Sequence, residues 1–133
     1  MAKSELPPLS EAQLEILNIV WDRGKATVGE IWATLAERRQ VSRNTVSTMV
    51  TRLEEKGWLR HRDVGGTYLY SATRGREKVL PRMVRRLVDA AFEGSAEGLV
   101  LTLLEDDQLS ADQIERIRCM LEATETDFRE GKR

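Results

Sequence analysis

Between Val41 and Gly57 the chain reads VSRNTVSTMVTRLEEKG, and one side of this stretch holds groups suited to a base edge. Asn44, Ser47, Thr48 and Thr51 are short amides and hydroxyls, with Arg43 and Arg52 beside them. An amide can bond adenine at two atoms, a threonine methyl can meet the thymine methyl, and arginine pairs with phosphate. Solvated helix faces usually carry Glu and Lys, which are better helix formers than Ser, Thr or Asn. The opposite side is apolar. Val46, Met49, Val50 and Leu53 recur at i, i+3, i+4 and i+7, the stripe of a helix lying on a core. A polar, nearly uncharged outer face edged by arginine implies a recognition helix for duplex DNA.

Such a helix has to be held by others, and the flanking sequence supplies them. Ser10-Glu-Ala-Gln13 and Thr27-Val-Gly-Glu30 are capping boxes, and Gly24 stops the helix that the first one opens. The first helix is expected to bury Leu14, Leu17 and Trp21, and the second Val28, Ile31, Trp32 and Leu35. Ser42 caps the third, and Gly57 ends it. The period then changes. Trp58–Val64 and Thr67–Ala72 are β-leaning runs around Gly65-Gly66, a pair able to take the positive φ angles of a tight hairpin. Three helices followed by a hairpin is the order of a winged helix-turn-helix.

After Thr73 the pattern is helical again. Lys78–Phe92 carries Val79, Met83, Leu87, Val88 and Ala91 on one stripe, with Pro81 expected in a first turn. Gly94 and Ser95 break it. Leu99–Leu104 is almost wholly apolar, Asp106-Asp107 ends that run, and Ser110–Gln113 is a third capping box. The last helix is expected to turn Ile114, Ile117, Leu121 and Thr124 inward. Three short helices of this kind form a poor core by themselves and call for a partner. The expected fold is mainly α with a small β-hairpin. A winged-helix DNA-binding domain spans residues 1–73, and a helical dimerisation domain spans 74–133. The dimerisation residues are Val84, Leu87, Val88, Leu99, Val100, Leu103, Ile114, Ile117 and Leu121. A two-fold dimer would set two recognition helices in successive major grooves.

Charge separates along the same line. The net charge is −1, yet Arg38–Arg62 holds seven Lys/Arg against two acids, and Glu97–Glu130 holds ten acids against three Arg. A local basic patch, not the total, is what attracts phosphates. With 133 residues and 41% hydrophobic content, one small domain plus an oligomerisation segment can be built. No apolar run approaches the roughly 20 residues that span a bilayer, and the MAKSELPPLSEAQ start has no signal-peptide core. A cytoplasmic location is expected. Cys119 is the single cysteine, which excludes a disulfide framework and a Cys-rich zinc site.

Four stretches together resemble the BlaI/MecI family of repressors, with its copper-responsive CopY branch. They are LSEAQLEILNIVWDRGKATVGEIW (Leu9–Trp32), VSRNTVSTMVTRLEEKGWLRH (Val41–His61), TYLYSA (Thr67–Ala72) and LVLTLLEDDQLSADQIERIRCML (Leu99–Leu121). The specificity lies in the combination of the Trp-Asp closing the first helix, T-V-x-T-x-x-x-R-L in the third and the late LVL-containing segment. The resemblance implies a homodimeric, sequence-specific transcriptional repressor that binds operator dyads in bacterial promoters, with a possible link to antibiotic resistance. Family members are typically released by proteolysis, when a membrane-bound sensor–protease detects a β-lactam. The cleaved Asn-Phe bond of the family falls here at Thr102-Leu103. The paired cysteines of the metal-binding branch are absent.

The resemblance also places Asn44, Thr45, Ser47 and Thr48 at base- and backbone-contacting positions. Family members often carry Arg where Ser47 stands. Arg43, Thr51 and Arg52 complete the helix, and Arg60, Arg62 and Tyr68 are expected to contact DNA from the wing. Trp21, Trp32 and Trp58 are expected to be core or hairpin anchors, His61 a solvated wing residue, and Cys119 a structural thiol. Glu105-Asp106-Asp107 reads as a helix end. Of Tyr68 and Tyr70, one is expected to face inward and one outward. No cofactor or metal is expected. The alternative function is a winged helix that serves only as a protein-interaction module without DNA binding. An enzyme is not expected, since there is no Gly-rich phosphate loop, no HExxH and no nucleophile–base constellation.

Overall fold

Each of the first three helices begins at a side chain that caps it. Ser10 Oγ accepts from the Gln13 backbone N–H at 3.2 Å, and Gln13 Oε1 accepts from the Ser10 N–H at 3.0 Å. Thr27 and Glu30 repeat the exchange at 3.1 and 2.9 Å, and Ser42 Oγ accepts from the Thr45 N–H at 3.1 Å. A cap of this kind is worth about 1 kcal/mol. The computed structural model describes residues 6–107 and 109–129, with side chains as far as residue 127. Its elements are α1 (Glu11–Arg23), α2 (Val28–Ala36), α3 (Arg43–Glu55), β1 (Leu59–Val64), β2 (Thr67–Ala72), α4 (Arg76–Ala91), α5 (Ala96–Glu105) and α6 (Ala111–Arg129). This is the winged helix-turn-helix, followed by three further helices.

The chain divides into two compact units, one ending at Pro81 and one starting at Arg82. In the first, α1, α2, α3 and the hairpin enclose a core of Ile16, Leu17, Val20, Ile31, Val46, Val50, Leu53 and Leu59. The α1 stripe differs from the expected one. Ile16, Leu17, Ile19 and Val20 are buried, whereas Leu14 and Trp21 are half-buried. In α2 only Ile31 and Leu35 are buried, with Val28 and Trp32 half-exposed. In α3 the stripe is as expected, save that Met49 is half-buried.

β1 and β2 pair antiparallel, from Leu59 against Ala72 to Val64 against Thr67. Gly65 and Gly66 turn the chain at φ 62° and 88°, angles that L side chains resist. Asp63 Oδ1 closes the turn by accepting from the Gly66 N–H at 2.8 Å. Ala26 adds a one-residue bridge to Tyr70, exchanging both backbone hydrogen bonds at 2.8–2.9 Å. That bridge ties the α1–α2 connection to the hairpin.

Pro81 is not in a first turn. It is the sixth residue of α4, so the Glu77 carbonyl lacks its usual helical donor. In the second unit Val88 is buried and Phe92 is half-buried. Phe92 lies over Gly98, where an added Cβ would stand 3.1 Å from its ring. Ser95, read as part of a break, in fact caps α5 by accepting from the Gly98 N–H at 3.0 Å. The Ser110–Gln113 box forms as expected. No described residue of α5 is buried, and Val84, Leu87, Val100, Leu103, Ile114, Ile117 and Leu121 are all exposed in the single chain. Thr124 is exposed as well, bonding back to the Met120 carbonyl.

Candidate nucleic-acid interface

The two faces of α3 are sharply distinct. Val46, Val50 and Leu53 are fully buried, while Arg43, Asn44, Thr45, Ser47, Thr48, Thr51 and Arg52 are exposed. The seven residues singled out on this helix therefore share its solvent side. The Thr45 hydroxyl is engaged at the helix start, accepting from Ser42 Oγ at 2.9 Å. Arg43 lies back against α2, and a Cβ at Gly29 would come within 2.8 Å of its Nη2. Glycine at 29 leaves room for that guanidinium.

Three indoles set the frame around α3. Trp32 Nε1 donates to the Val41 carbonyl at 2.9 Å, across the turn between α2 and α3. Trp58 Nε1 donates to the Pro7 carbonyl at 2.9 Å, and Thr73 Oγ1 donates to the Gly57 carbonyl at 2.6 Å, so the hairpin base is clamped from two sides. Trp21 Nε1 donates to the Arg74 carbonyl at 2.8 Å, and the Arg76 guanidinium stands 5.3 Å from the Trp21 ring centroid. All three indoles are anchors, as their types suggested.

Not every cation of the basic stretch is available to a ligand. Arg39 pairs with Glu15 at 2.7 Å, an ion pair whose orientation falls short of a good hydrogen bond. Arg23 pairs with Glu30 at 3.0 Å. The Glu30 carboxyl is held below its usual value, first by the Thr27 backbone N–H, which outweighs the opposing effect of burial, and then by the Arg23 charge.

The wing residues do not share a face. Arg60 and Arg62 are exposed opposite Ser71 and Leu69, whereas Tyr68 belongs to the side that carries His61 and Tyr70. Tyr68 and Tyr70 are two apart and so point the same way. One is buried and one exposed because they lie at the base and the tip of that face, not because they alternate. His61 is not a solvated wing residue. Its Nδ1 is 2.7 Å from Glu54 Oε2 of α3, and its ring stacks on Tyr68 with centroids 4.0 Å apart and planes 15° from parallel. Tyr70 closes the group, 5.4 Å from His61 and edge-on to Tyr68 at 6.3 Å. Burial, then the Glu54 charge, pushes the Tyr70 phenol above its ordinary pKa.

Other candidates settle simply. Cys119 is exposed in the single chain rather than packed. Asp106 terminates α5, and among the described residues no group of three or more His, Cys, Asp or Glu could hold a metal. Among the described residues, no helix is long and apolar enough to cross a membrane. Thr102 and Leu103, the candidate cleavage position, are exposed within α5.

Comparison with known proteins bears on the whole of this arrangement. The family model described as penicillinase repressor matches residues 9–123. The penicillinase repressor of Bacillus licheniformis is 27% identical over 118 residues, covering 89% of this chain and 92% of its own. The methicillin resistance regulatory protein MecI of Mammaliicoccus sciuri is 26% identical over 113 residues, covering 85% and 92%. Among solved structures, the DNA-binding domain of the repressor BlaI is similar at a TM-score of 0.50 and 28% identity, over 54% of this chain and 88% of that domain.

Proposed function

Because the chain belongs to the penicillinase repressor family, whose members are DNA-binding transcriptional repressors and not enzymes, we propose that it acts as a homodimer on operator dyads in bacterial promoters. Residues 1–73 form the reading half and residues 74–133 the pairing half. The observation that carries this reading is the α3 surface. Asn44, Ser47, Thr48 and Thr51 are exposed on a helix whose other side is locked into the core by Val46, Val50 and Leu53. Short hydrogen-bonding side chains on a rigid helix suit base edges in the major groove. Arg43 and Arg52 suit phosphates at its margins. Arg60, Arg62 and Tyr68 extend the contact along the hairpin, the arginines on one side and the tyrosine on the other.

Dimerisation is supported by apolar surface that one chain leaves uncovered. Of the twelve large hydrophobic residues exposed among those described, ten lie beyond Arg82, from Val84 to Leu121. Apolar exposure concentrated in this way marks a partner surface. Leu87, Leu99, Val100, Leu103, Ile114, Ile117 and Leu121 are the contacts, with Val84 beside them. Val88 contributes from beneath, being already buried within one protomer. A membrane sensor–protease would act at Thr102-Leu103. That bond sits in helical backbone, so α5 has to open before it can be cut.

The test is fluorescence anisotropy with DNA from the promoter of the protein's own gene and a scrambled duplex, over a salt series. Tight, promoter-selective binding whose logarithm falls with log salt at about 0.9 per phosphate contacted supports the reading. Equal, weak binding to both duplexes, repeated with other promoters, rejects it in favour of a protein-interaction module.

A further inference from the structure

His61 joins the recognition helix to the wing. On one side its Nδ1 meets Glu54 Oε2 of α3 at 2.7 Å, and on the other its ring stacks on Tyr68 of β2 at 4.0 Å. The Glu54 and His61 side chains are 31% and 29% exposed, so water competes only in part for their bond. Tyr68 is 48% exposed, with one ring face against the imidazole. The hairpin is a two-stranded sheet, and an isolated two-stranded hairpin is marginal by itself. Its base is clamped by Trp58 and Thr73 at the end away from the turn, and the Ala26 backbone bridge holds Tyr70, directly opposite His61. His61 stands between that base and the Gly65-Gly66 tip. Among the described residues its bond to Glu54 is the one side-chain hydrogen bond from the middle of the hairpin to α3.

We propose that His61 is a positioning residue for DNA recognition: bonded to Glu54 and stacked on Tyr68, it fixes the spacing between α3 and the wing, so that both engage one duplex at once. The inference rests on the reading of α3 and the wing as the DNA interface. It assigns Glu54 a role that its charge alone would not suggest. An acid beside a phosphate-binding surface repels DNA, so on Coulombic grounds its removal should tighten binding. As the anchor of His61, its removal should weaken binding. The two accounts differ in sign.

The experiment uses the full chain and a duplex that the wild-type protein selects from a randomised pool, read by anisotropy at fixed salt. Glu54→Ala and His61→Phe each remove the bond, the second while keeping a ring against Tyr68. Each is expected to bind about tenfold more weakly, an effect of the size that coupled neighbours show. Glu54→Gln removes the charge but keeps a carbonyl acceptor for Nδ1, and is expected to bind at least as well as wild type. In a Tyr68→Ala background, His61→Phe should have a smaller effect, because one of the wing contacts it positions is gone. Tighter binding by Glu54→Ala, unchanged binding by His61→Phe, or an equal loss with and without Tyr68 would overturn the proposal. If His61→Phe melts too low to be read, Glu54→Ala against Glu54→Gln carries the same comparison. If the wild-type chain selects no sequence at all, the DNA reading itself fails, and the proposal with it.

Discussion

The Trp32 indole on α2 and the Val41 carbonyl just before α3 meet at 2.9 Å, and this bond closes the turn of the helix-turn-helix. Val41 precedes Ser42, whose hydroxyl caps α3, so the indole holds the peptide group that leads into the cap. Trp32→Phe keeps most of the ring but leaves that carbonyl without its donor. It is expected to lower stability by about 1 kcal/mol, the usual net worth of such a hydrogen bond. A urea titration followed by circular dichroism reads this as a lower midpoint with an unchanged slope. Operator affinity should fall further than stability explains, since the α2–α3 angle is then less well defined.

Side chains on the outer face of α3 should behave in the opposite way. Asn44 and Thr48 are exposed, and neither side chain bonds to another of the described residues. Asn44→Ala and Thr48→Ala are therefore expected to leave the melting temperature within a degree or two. Each should cost about 1–3 kcal/mol of operator discrimination if it touches a base. Arg52→Ala should instead weaken binding to all sequences alike and reduce the salt slope by about 1. Anisotropy with the operator and single-base variants separates the two patterns. Loss of folding in Asn44→Ala would mean that this face is structural.

Two groups give the stability a pH signature. The Glu30 pKa is lowered in the fold, so its contribution is complete above the unfolded value of 4.5 and is lost as pH falls through the folded value. Acid unfolding should therefore be steeper in the wild type than in Glu30→Gln, which keeps an acceptor for the Thr27 N–H. The Tyr70 pKa is raised, chiefly by burial, so the fold keeps its phenol protonated. Stability is intact below pH 10 and falls as pH rises beyond it. Tyr70→Phe should retain more of its stability in that range, as thermal melts between pH 9 and 11 would show.

What the sequence made legible followed the range of the interaction. The caps at Ser10, Thr27, Ser42 and Ser110 are contacts three residues long, and each forms. The α3 face was readable because its apolar and polar residues do not mix. α1 was harder, since Leu14, Ile16, Leu17, Ile19, Val20 and Trp21 give it apolar groups on several sides, and only the partners decide which are buried. His61 was missed although the turn defines its neighbours: a two-residue turn at Gly65-Gly66 sets His61 opposite Tyr70 and puts Tyr68 on the same face. The link to Glu54 joins a strand to a helix and leaves no periodic trace. The resting place of Arg43 over Gly29 is invisible for the same reason.

The apolar surface beyond Arg82 supplies the last prediction. Leu103 is exposed on α5 in the single chain, so Asp at that position costs little in a monomer. At a dimer interface the same carboxylate would be buried without a partner, at a cost of several kcal/mol. Leu103→Asp is therefore expected to yield a folded monomer by light scattering, with the winged helix intact by circular dichroism. Operator binding should fall by orders of magnitude, because each recognition helix then engages its half-site alone. Binding to a half-site duplex should be little changed. A Leu103→Asp variant that remains dimeric would remove α5 from the interface and leave Ile114, Ile117 and Leu121 of α6 as the surface to test next.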